Sequence, residues 1–351
     1  MFIITPFHNI KPYFKTFKRN IASILELDSV EMILVNDHSD DTSNQLMTSE
    51  FNKKGNVSII SCESEGVSAA RNFGLNYLYE NVKNYTNSWV TFCDFDDYIE
   101  KGLIVGFREN PLINKYDYVL FGYSTDRLQL DHKPFFSVKP FEGVDLGALA
   151  IEGPFREKNR TYNLNSPWGR LIKLDFLRKN KIFFDEKLTF REDLIFNLTI
   201  FAHSPKAGII LRSYYYYYLN PNSVVHSYIK NVIQQNRLAY INIKKFTDKM
   251  QDEVKKNLRL EFLKNAFIQS IFVFVLPKGR HNKYFLSKKR FKNLRMDAIF
   301  EALWRTDIDK SFKNKMNKLL FYLANKRLFL PIYVMIEFHN FILRKKTDDK
   351  N

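Results

Sequence analysis

Residues 89–97 read WVTFCDFDD, an apolar run that ends in three carboxylates within four positions. The first five of these residues have the length and composition of a buried β-strand. Three like charges packed so closely repel one another, and a divalent cation bound among them relieves that repulsion. Oxygen ligands favour Mg²⁺ or Mn²⁺ over zinc, so Asp94, Asp96 and Asp97 are candidate metal ligands. The residues alone leave a second interpretation open, an acidic helix N-terminus stabilised by the helix dipole.

Strands and helices alternate on the N-terminal side of this stretch. The apolar patterns predict strands over 2–5, 31–35 and 57–60, and helices over 12–27, 44–51 and 66–79. Such repetition predicts a mostly parallel sheet covered by helices, in which ligands bind beyond the carboxyl ends of the strands. Polar residues follow the predicted strands, namely Thr5, Asp37, Glu63, Glu65 and the three aspartates. The sequence holds neither G-x-G-x-x-G nor a Walker loop, which argues against a dinucleotide dehydrogenase or a P-loop NTPase.

Four segments at these strand ends together resemble the family 2 glycosyltransferases of the GT-A fold. They are Thr5-Pro6-Phe7-His8-Asn9, Val35-Asn36-Asp37-His38-Ser39, Gly66-Val67-Ser68-Ala69-Ala70-Arg71-Asn72 and Phe92-Cys93-Asp94-Phe95-Asp96-Asp97. The resemblance covers residues 1–105, continues more weakly through 168–171, 190–194 and 214–223, and is closest to bacterial enzymes of capsule, lipooligosaccharide or teichoic acid synthesis. It implies an α/β protein with a GT-A-type, mostly parallel sheet flanked by helices, followed here by a basic helical C-terminal domain.

The resemblance also implies a nucleotide-sugar site at the first strand ends. Thr5, Pro6 and Phe7 would line the nucleobase pocket. Asp37, with Ser39 beside it, would bind uracil or ribose. The sequence departs from the family next to this aspartate, at Asn36, where a second Asp is usual, and at His38, where Gly is common.

The resemblance implies further roles for the helix predicted over 66–79 and for residues 94–97, which we name the acidic loop. Arg71 would face the base or the diphosphate from the start of its helix. Asp94 and Asp96 match the family's D-x-D, which binds ribose and metal, and Asp97 could take over the metal contact. His226 could reach the diphosphate or the metal, although a lone histidine in a loop is also explained by simple exposure to solvent.

The residues implied to act on the acceptor, the molecule that receives the sugar, lie further along the chain, between residues 168 and 193. The resemblance places the general base on Asp193 and a supporting contact on Glu192, and a single base suffices for an inverting displacement. From the residues alone, an acidic cap of the following helix remains an alternative. Trp168 and Arg170 lie in the family's acceptor segment. An indole suits a sugar ring, but a core tryptophan explains the same residue.

The positive charge of the chain lies in its last third. Residues 230–351 hold 28 basic and 11 acidic residues, a net charge of +17, while the whole chain carries +16. We therefore predict a glycosyltransferase domain over 1–228, with a nucleotide-sugar half (1–105) and an acceptor half (106–228), and a basic α-helical domain over 229–351.

Three interpretations suit such a basic domain: a solvated helical bundle, a binding site for a polyanion, or a dock on an anionic membrane surface. The apolar segment 328–343, followed by Arg344-Lys345-Lys346, favours the membrane surface. Nucleic acid is not expected, because the segment lacks zinc-finger spacing, an RNP-like motif and a basic region continued by heptads. The sequence leaves oligomerisation open.

The cellular location is predicted from the cysteines and from the apolar stretches of the sequence. The two cysteines, Cys62 and Cys93, fit a reducing compartment. No signal peptide is expected, because the first residues already read as a strand, and the apolar stretches fall short of the roughly 20 residues that a membrane span needs. We expect a cytoplasmic protein, with a peripheral position at the inner face of the cell membrane.

These observations predict a metal-dependent, inverting glycosyltransferase. It would move a sugar from a nucleotide-diphosphate donor, a UDP-sugar, to a hydroxyl of a bacterial cell-surface polysaccharide or glycolipid precursor. The acceptor would be a glycan or a lipid-linked glycan, and Mn²⁺ or Mg²⁺ would be the cofactor. Two alternatives are a non-catalytic protein that binds a polyanion or a membrane on a GT-A-like scaffold, and a nucleotidyltransferase.

Overall fold

The computed structural model describes residues 1–83, 85, 87–141, 146–157, 159–219, 228–277, 282–305 and 314–348. The chain forms two compact units, Met1–Leu219 and Asn220–Asn351. The boundary predicted between 228 and 229 adjoins residues 220–227, which lie outside the described residues. The first unit holds the sheet, and the second is helical.

The first unit is built on a mixed, mostly parallel sheet. Its strands are β1 (Phe2–Phe7), β2 (Glu31–Asn36), β3 (Val57–Ser61), β4 (Trp89–Phe92), β5 (Tyr98–Ile99), β6 (Tyr118–Ser124), β7 (Lys139–Pro140), β8 (Phe155–Glu157), β9 (Arg160–Tyr162), β10 (Arg170–Lys173) and β11 (Ala207–Tyr216). Strands β3, β2, β1 and β4 are neighbours and run parallel. Strand β10 is antiparallel to both β4 and β6, and β11 runs parallel to β6. The carboxyl ends of β1 to β4, β6 and β11 therefore lie along one edge of the sheet, and the predicted fold class is confirmed.

Helices follow the strands in the predicted order. They are α1 (Phe14–Leu25), α2 (Ser43–Phe51), α3 (Val67–Asn81), α4 (Lys101–Glu109), α5 (Leu146–Glu152), α6 (Leu174–Lys179) and α7 (Glu192–Ala202). Helix α3 lies very close to the sheet at Gly74, where a Cβ atom would lie 2.8 Å from Cγ2 of Ile4 and 3.3 Å from Cγ2 of Val35. This close packing fixes the distance between α3 and strands β1 and β2, and so the position of the start of α3 at the carboxyl edge of the sheet.

The apolar residues of the segment Lys181–Phe184 predict a further strand, and this prediction is wrong. Residues 181–184 form a loop, because their backbone is bound by a side chain of α3 and has no neighbouring strand. The amide of Phe184 donates to Oδ1 of Asn72 at 2.8 Å, and Nδ2 of Asn72 donates back to the carbonyl of Phe184 at 3.0 Å. The apolar pattern of Ile182 and Phe184 reflects burial of both side chains in this loop.

The second unit consists of helices packed around aromatic side chains. They are α8 (Val232–Thr247), α9 (Asp252–Ser270), α10 (Tyr284–Arg295), α11 (Glu301–Trp304), α12 (Lys315–Asn325) and α13 (Phe329–Asp348), and a π-helical segment, Ile271–Val275, follows α9. The ring of Phe267 lies edge-on to those of Phe300, Trp304 and Phe321. In the part of the chain that the structure describes, no helix combines the length and apolar character that crossing a membrane requires.

Candidate functional site

The acidic loop after β4 and the start of α7 meet at one buried arginine. Arg71, near the start of α3, is only 3% exposed. Its Nη2 donates to Oδ1 of Asp94 at 3.0 Å, and its Nη1 donates to Oδ1 of Asp193 at 2.8 Å. The planar guanidinium has the fork geometry that binds two carboxylates at once. One cation thus joins the predicted metal ligand Asp94 to the predicted base Asp193.

The segment that leads to the base is held by the residue after Arg71. Besides its bonds to the backbone of Phe184, Asn72 donates from Nδ2 to Oε1 of Glu186 at 2.8 Å. The ring of Phe184 stacks on that of Phe196 in α7 at 3.9 Å, and the Cζ atom of Arg71 lies 5.3 Å from the centre of the Phe184 ring. These contacts fix α7 relative to α3.

The base lies in the first turn of α7. The residue before the helix, Arg191, adopts a left-handed backbone with φ 72°. Asn197, one turn beyond Asp193, donates to the carbonyl of Asp193 at 2.8 Å and to that of Ser166 at 2.7 Å. The first turn therefore carries Glu192 and Asp193 at the positive end of the helix dipole, with the backbone anchored to the loop before β10.

The environment of Asp193 shifts its proton affinity. Burial raises the pKa of Asp193 to about 8; the charge of Arg71 opposes this rise, and the carboxylates of Glu192 and Asp94 add to it. Burial also raises the pKa of Glu192, again against Arg71. A carboxyl group with a pKa near neutrality is suited to exchange a proton with a substrate hydroxyl.

Asp97 has a different place from the two other aspartates of the loop. It is 1% exposed, its Oδ2 accepts from the hydroxyl of Tyr215 at 2.6 Å, and its Oδ1 accepts from the amide of Tyr218 at 2.7 Å. The same hydroxyl of Tyr215 accepts from the amide of Asp94 at 3.2 Å. Burial, with the charges of Asp94 and Asp96, raises the pKa of Asp97 well above its usual value. Since both oxygens are bound within the protein, Asp97 ties the loop to β11, and we drop it from the candidate metal ligands.

The remaining carboxylates fit a divalent cation that is shared with a phosphate ligand. A third of the Asp94 side chain is exposed and Asp96 is half-buried, so both residues are accessible to a ligand. The described residues contain no group of three His, Cys, Asp or Glu side chains arranged to enclose a metal ion. Mg²⁺ is usually held by one or two carboxylates together with phosphate oxygens and water, so this donor set suits it. The excess of carboxylates around the single charge of Arg71 also favours a bound cation.

The residues predicted to line the nucleobase pocket lie in β1. Thr5 and Phe7 are 0% and 1% exposed, and Pro6 is buried as well. Phe7 belongs to the hydrophobic core, which corrects its predicted role as a direct contact of the base. The hydroxyl of Thr5 has no hydrogen-bond partner among the described residues.

Asp37 links the end of β2 to the start of α3. Its Oδ1 accepts from the amide of Gly66 at 2.8 Å, and Gly66 has φ 112°, a conformation that favours glycine. Ser39 is half-buried and donates from its amide to Oδ1 of Asn36 at 3.1 Å. The neighbouring His38 has φ 49°, in the left-handed region, which explains why glycine is common here in the family that the sequence resembles. Half-buried Asp37 is thus the predicted donor residue best placed to meet a ligand.

Two predicted acceptor residues lie inside the protein. Arg170 is 0% exposed and donates to the hydroxyl of Tyr118, to Oδ1 of Asn197 and to carbonyl oxygens of the loop before β10. It cannot touch an acceptor, which corrects its predicted role; instead it positions Asn197 and hence the first turn of α7. Trp168 is 5% exposed and stacks on Tyr215, with ring centres 4.5 Å apart, so the core interpretation of this indole applies. His226 lies outside the described residues.

The sequence patterns did not reveal the residues that hold the charged groups in place. Asn72 lies in a quoted family segment without an assigned role. Tyr215 lies in the run Tyr214–Tyr218, whose composition predicts a strand and no site. Asn197 is an isolated amide in the apolar helix α7. A polar residue between two apolar ones, here Phe196 and Leu198, is the signal that could have indicated it.

Known proteins resemble this chain in sequence and in fold. Residues 2–125 match the family model described as Glycosyl transferase family 2. EpsJ of Bacillus subtilis (strain 168), described as an uncharacterized glycosyltransferase, is 25% identical over 63% of this chain and 62% of its own length. GgaA of the same strain, described as a minor teichoic acid biosynthesis protein, is 24% identical over 91% of this chain and 69% of its own length. The chain therefore spans less than two thirds of EpsJ.

A solved structure shows the same fold. S. aureus TarS 1–349 in complex with UDP-GlcNAc superposes with a TM-score of 0.62 at 19% identity, over 93% of this chain and 87% of the TarS chain. At this identity, the likeness concerns the fold. The fold is that of the GT-A type, and these matches support the predicted resemblance to family 2 glycosyltransferases and the prediction of an enzyme.

We predict that Arg71→Met disables the site and weakens the fold. The substitution leaves Asp94 and Asp193 without their shared cation, so we expect a loss of about 3 kcal/mol in the free energy of unfolding. Turnover of a nucleotide-sugar should fall at least about 100-fold. Arg71→Lys keeps the charge but lacks the planar, forked guanidinium, so its turnover should lie between those of the wild type and Arg71→Met. Denaturant unfolding and initial rates measure both quantities. Arg19→Met, at an exposed position of α1, is the control and should match the wild type; equal stability of Arg71→Met would contradict the bridge.

Proposed function

We propose that this protein transfers a sugar from a UDP-sugar to a hydroxyl of a cell-wall polysaccharide or its precursor, with inversion at the sugar carbon. The observation that carries this proposal is the bridge from Asp94 through Arg71 to Asp193. It brings the loop that would hold the diphosphate and the carboxylate that would take the proton to one edge of the sheet. Donor and acceptor bound there would be in contact.

The donor is proposed from two lines of support. Asp37 at the end of β2 has a half-buried carboxylate that can accept from the imide of uracil or from ribose. TarS, which shares the fold, was solved with UDP-GlcNAc and with UDP. The acceptor class is proposed from GgaA, which is described as a teichoic acid biosynthesis protein.

Asp193 is proposed as the base that removes the proton of the acceptor hydroxyl as the sugar moves. A quarter of its side chain is exposed, so a substrate can reach it, and its raised pKa keeps the carboxylate basic. Arg71 and the helix N-terminus stabilise the ionised form that must start the reaction. After transfer the proton resides on Asp193, and the displaced UDP carries the negative charge.

A divalent cation, Mn²⁺ or Mg²⁺, is proposed to be held by Asp94 and Asp96. When bound, it would supply positive charge to the leaving diphosphate. Nη2 of Arg71 donates to Oδ1 of Asp94 and so orients that carboxylate.

The basic second unit is proposed to dock on an anionic membrane surface. Helix α13 buries Phe329, Ile332 and Ile336 and also exposes apolar side chains one turn apart: Leu330, Val334 and Phe338 are 56%, 57% and 63% exposed. We name these three residues the outer stripe. An exposed apolar stripe in a unit with a large positive charge matches the composition of helices that lie in the headgroup region of anionic bilayers.

Asp193→Asn should abolish transfer and keep donor binding. Because the carboxyl group is protonated below its pKa of about 8, kcat/KM of the wild type should fall as the pH is lowered from 8 to 5, a range in which an ordinary carboxylate stays ionised. Initial rates against pH and calorimetry with UDP measure the two properties. Glu192→Gln removes one of the charges that raise the pKa of Asp193, so this variant should keep turnover and shift the profile to lower pH. Substantial turnover of Asp193→Asn would remove it as the base.

Asp96→Ala should weaken UDP-sugar binding only when Mn²⁺ or Mg²⁺ is present, because the lost contact is to the metal. We expect an effect of about tenfold or more in calorimetry with metal and none in chelator. Asp28→Ala, at an exposed position before β2, is the matched control. Equal weakening in chelator would contradict the metal assignment.

Replacing the outer stripe with serine should reduce binding to vesicles that contain anionic lipid by about tenfold or more, since three exposed apolar side chains no longer enter the bilayer. Cosedimentation with anionic and with neutral vesicles measures this. Leu128→Ser, at an exposed position of the first unit, is the control. Undiminished binding of the triple variant would rule out this surface.

A further inference from the structure

A cavity opens at the carboxyl ends of β6 and β11, away from the bridge through Arg71. Its volume is about 650 Å³, which lies within the range of small-molecule and sugar sites. Its walls are formed by residues 123–125 and 128–131, by Arg156 and residues 159–161 of the β8–β9 hairpin, and by Ser213. None of the residues given a role in transfer above lines this cavity.

The cavity and the acidic loop share a wall of aromatic rings. Tyr123 lines the cavity, and its ring centre lies 5.0 Å from that of Trp168. Trp168 stacks on Tyr215, whose hydroxyl accepts from the amide of Asp94. A molecule in the cavity is therefore separated from the acidic loop by a few aromatic side chains.

The charge of the cavity is positive. Asp131, in its wall, accepts from Nη2 of Arg160 at 3.2 Å and lies 3.6 Å from Nη1 of Arg212. Its other oxygen accepts from the amide of Ser213 at 2.8 Å, so this carboxylate is already engaged. Arg156 is a further cation of the wall, and among the described residues it has no carboxylate within ion-pair distance. The cations thus outnumber the single acidic group.

The hairpin that carries two of these arginines is fixed to the sheet. Arg156 pairs with Thr161 across the hairpin, and Thr161 pairs with Tyr123 of β6. The hydroxyl of Tyr162 donates to the carbonyl of Ile210 at 3.0 Å. The guanidinium groups are therefore presented from a paired backbone, and the hydroxyl and amide groups of Ser124, Gln129 and Thr161 lie beside them.

We propose that this cavity is an acceptor subsite for an anionic group, a phosphate or a carboxylate, on a polyhydroxylated glycan. Guanidinium groups bind such oxyanions through paired N–H donors, and the neutral polar groups of the wall suit the adjoining hydroxyls. The inference rests on the proposed transfer to a polysaccharide and adds that the acceptor is charged. The subsite would hold the chain while another hydroxyl lies at Asp193.

The experiment compares anionic probes with their neutral counterparts on the full chain. Glycerol 1-phosphate is paired with glycerol, and glucuronic acid with glucose, by saturation-transfer NMR titration. We expect at least one anionic probe to bind about tenfold tighter than its neutral partner, and to weaken with added salt. The probe that binds identifies the anionic group.

Arg156→Gln tests the site itself, because this exposed side chain can change without harm to the fold. It should bring the anionic probe to the level of its neutral partner, whereas Arg108→Gln, an exposed arginine of α4, should not. Equal binding of charged and neutral probes, absence of binding by both anions, or unchanged binding to Arg156→Gln would each overturn the subsite.

Metal-dependent release of UDP from a UDP-sugar is the separate readout for the proposed function. It is measured on the wild type without added acceptor. If the wild type releases no UDP, the transferase proposal is refuted, even where an anionic probe binds. If the wild type releases UDP but neither anionic probe binds, only the subsite is refuted.

Discussion

The pairing of one buried guanidinium with two carboxylates is the contact around which the first unit is organised. Arg71 can lie at the edge of the sheet because α3 packs closely there, and its charge is tolerated in a buried place because Asp94 and Asp193 accept from it. Each carboxylate comes from a different part of the chain. The bridge therefore makes the geometry of the donor side depend on that of the acceptor side.

Neutral hydrogen-bonding groups surround this bridge and set its position. Asn72 holds the loop that precedes α7, Asn197 anchors the turn that carries the base, and Tyr215 fixes the acidic loop through Asp97. These groups bind the backbone or a buried carboxylate, so each removes an unsatisfied polar atom while it orients a charged neighbour. A substitution among them would move a charged group without touching a substrate.

The charges of the whole site explain why a cation and an anion are both expected there. More carboxylates than cations lie at the edge near Arg71, which favours a metal ion and, with it, a diphosphate. The cavity beside Tyr123 has the opposite excess, because Arg160 and Arg212 pair with Asp131 and Arg156 adds a further cation to the wall. Two adjacent sites of opposite charge can hold a nucleotide-bound cation and an anionic glycan without mutual repulsion.

The sequence by itself determined the alternation of strands and helices, the polar residues at the strand ends and the concentration of positive charge after residue 229. These features are local, since the period of apolar residues and the composition of a segment are properties of neighbours in the chain. Tertiary structure decided which polar residues face a ligand. Arg170 and Asp97 look like surface residues in the sequence, yet partners from distant segments surround both of them. The bridge through Arg71 and the cavity beside Tyr123 likewise depend on which segments the sheet brings together, and no local pattern encodes that.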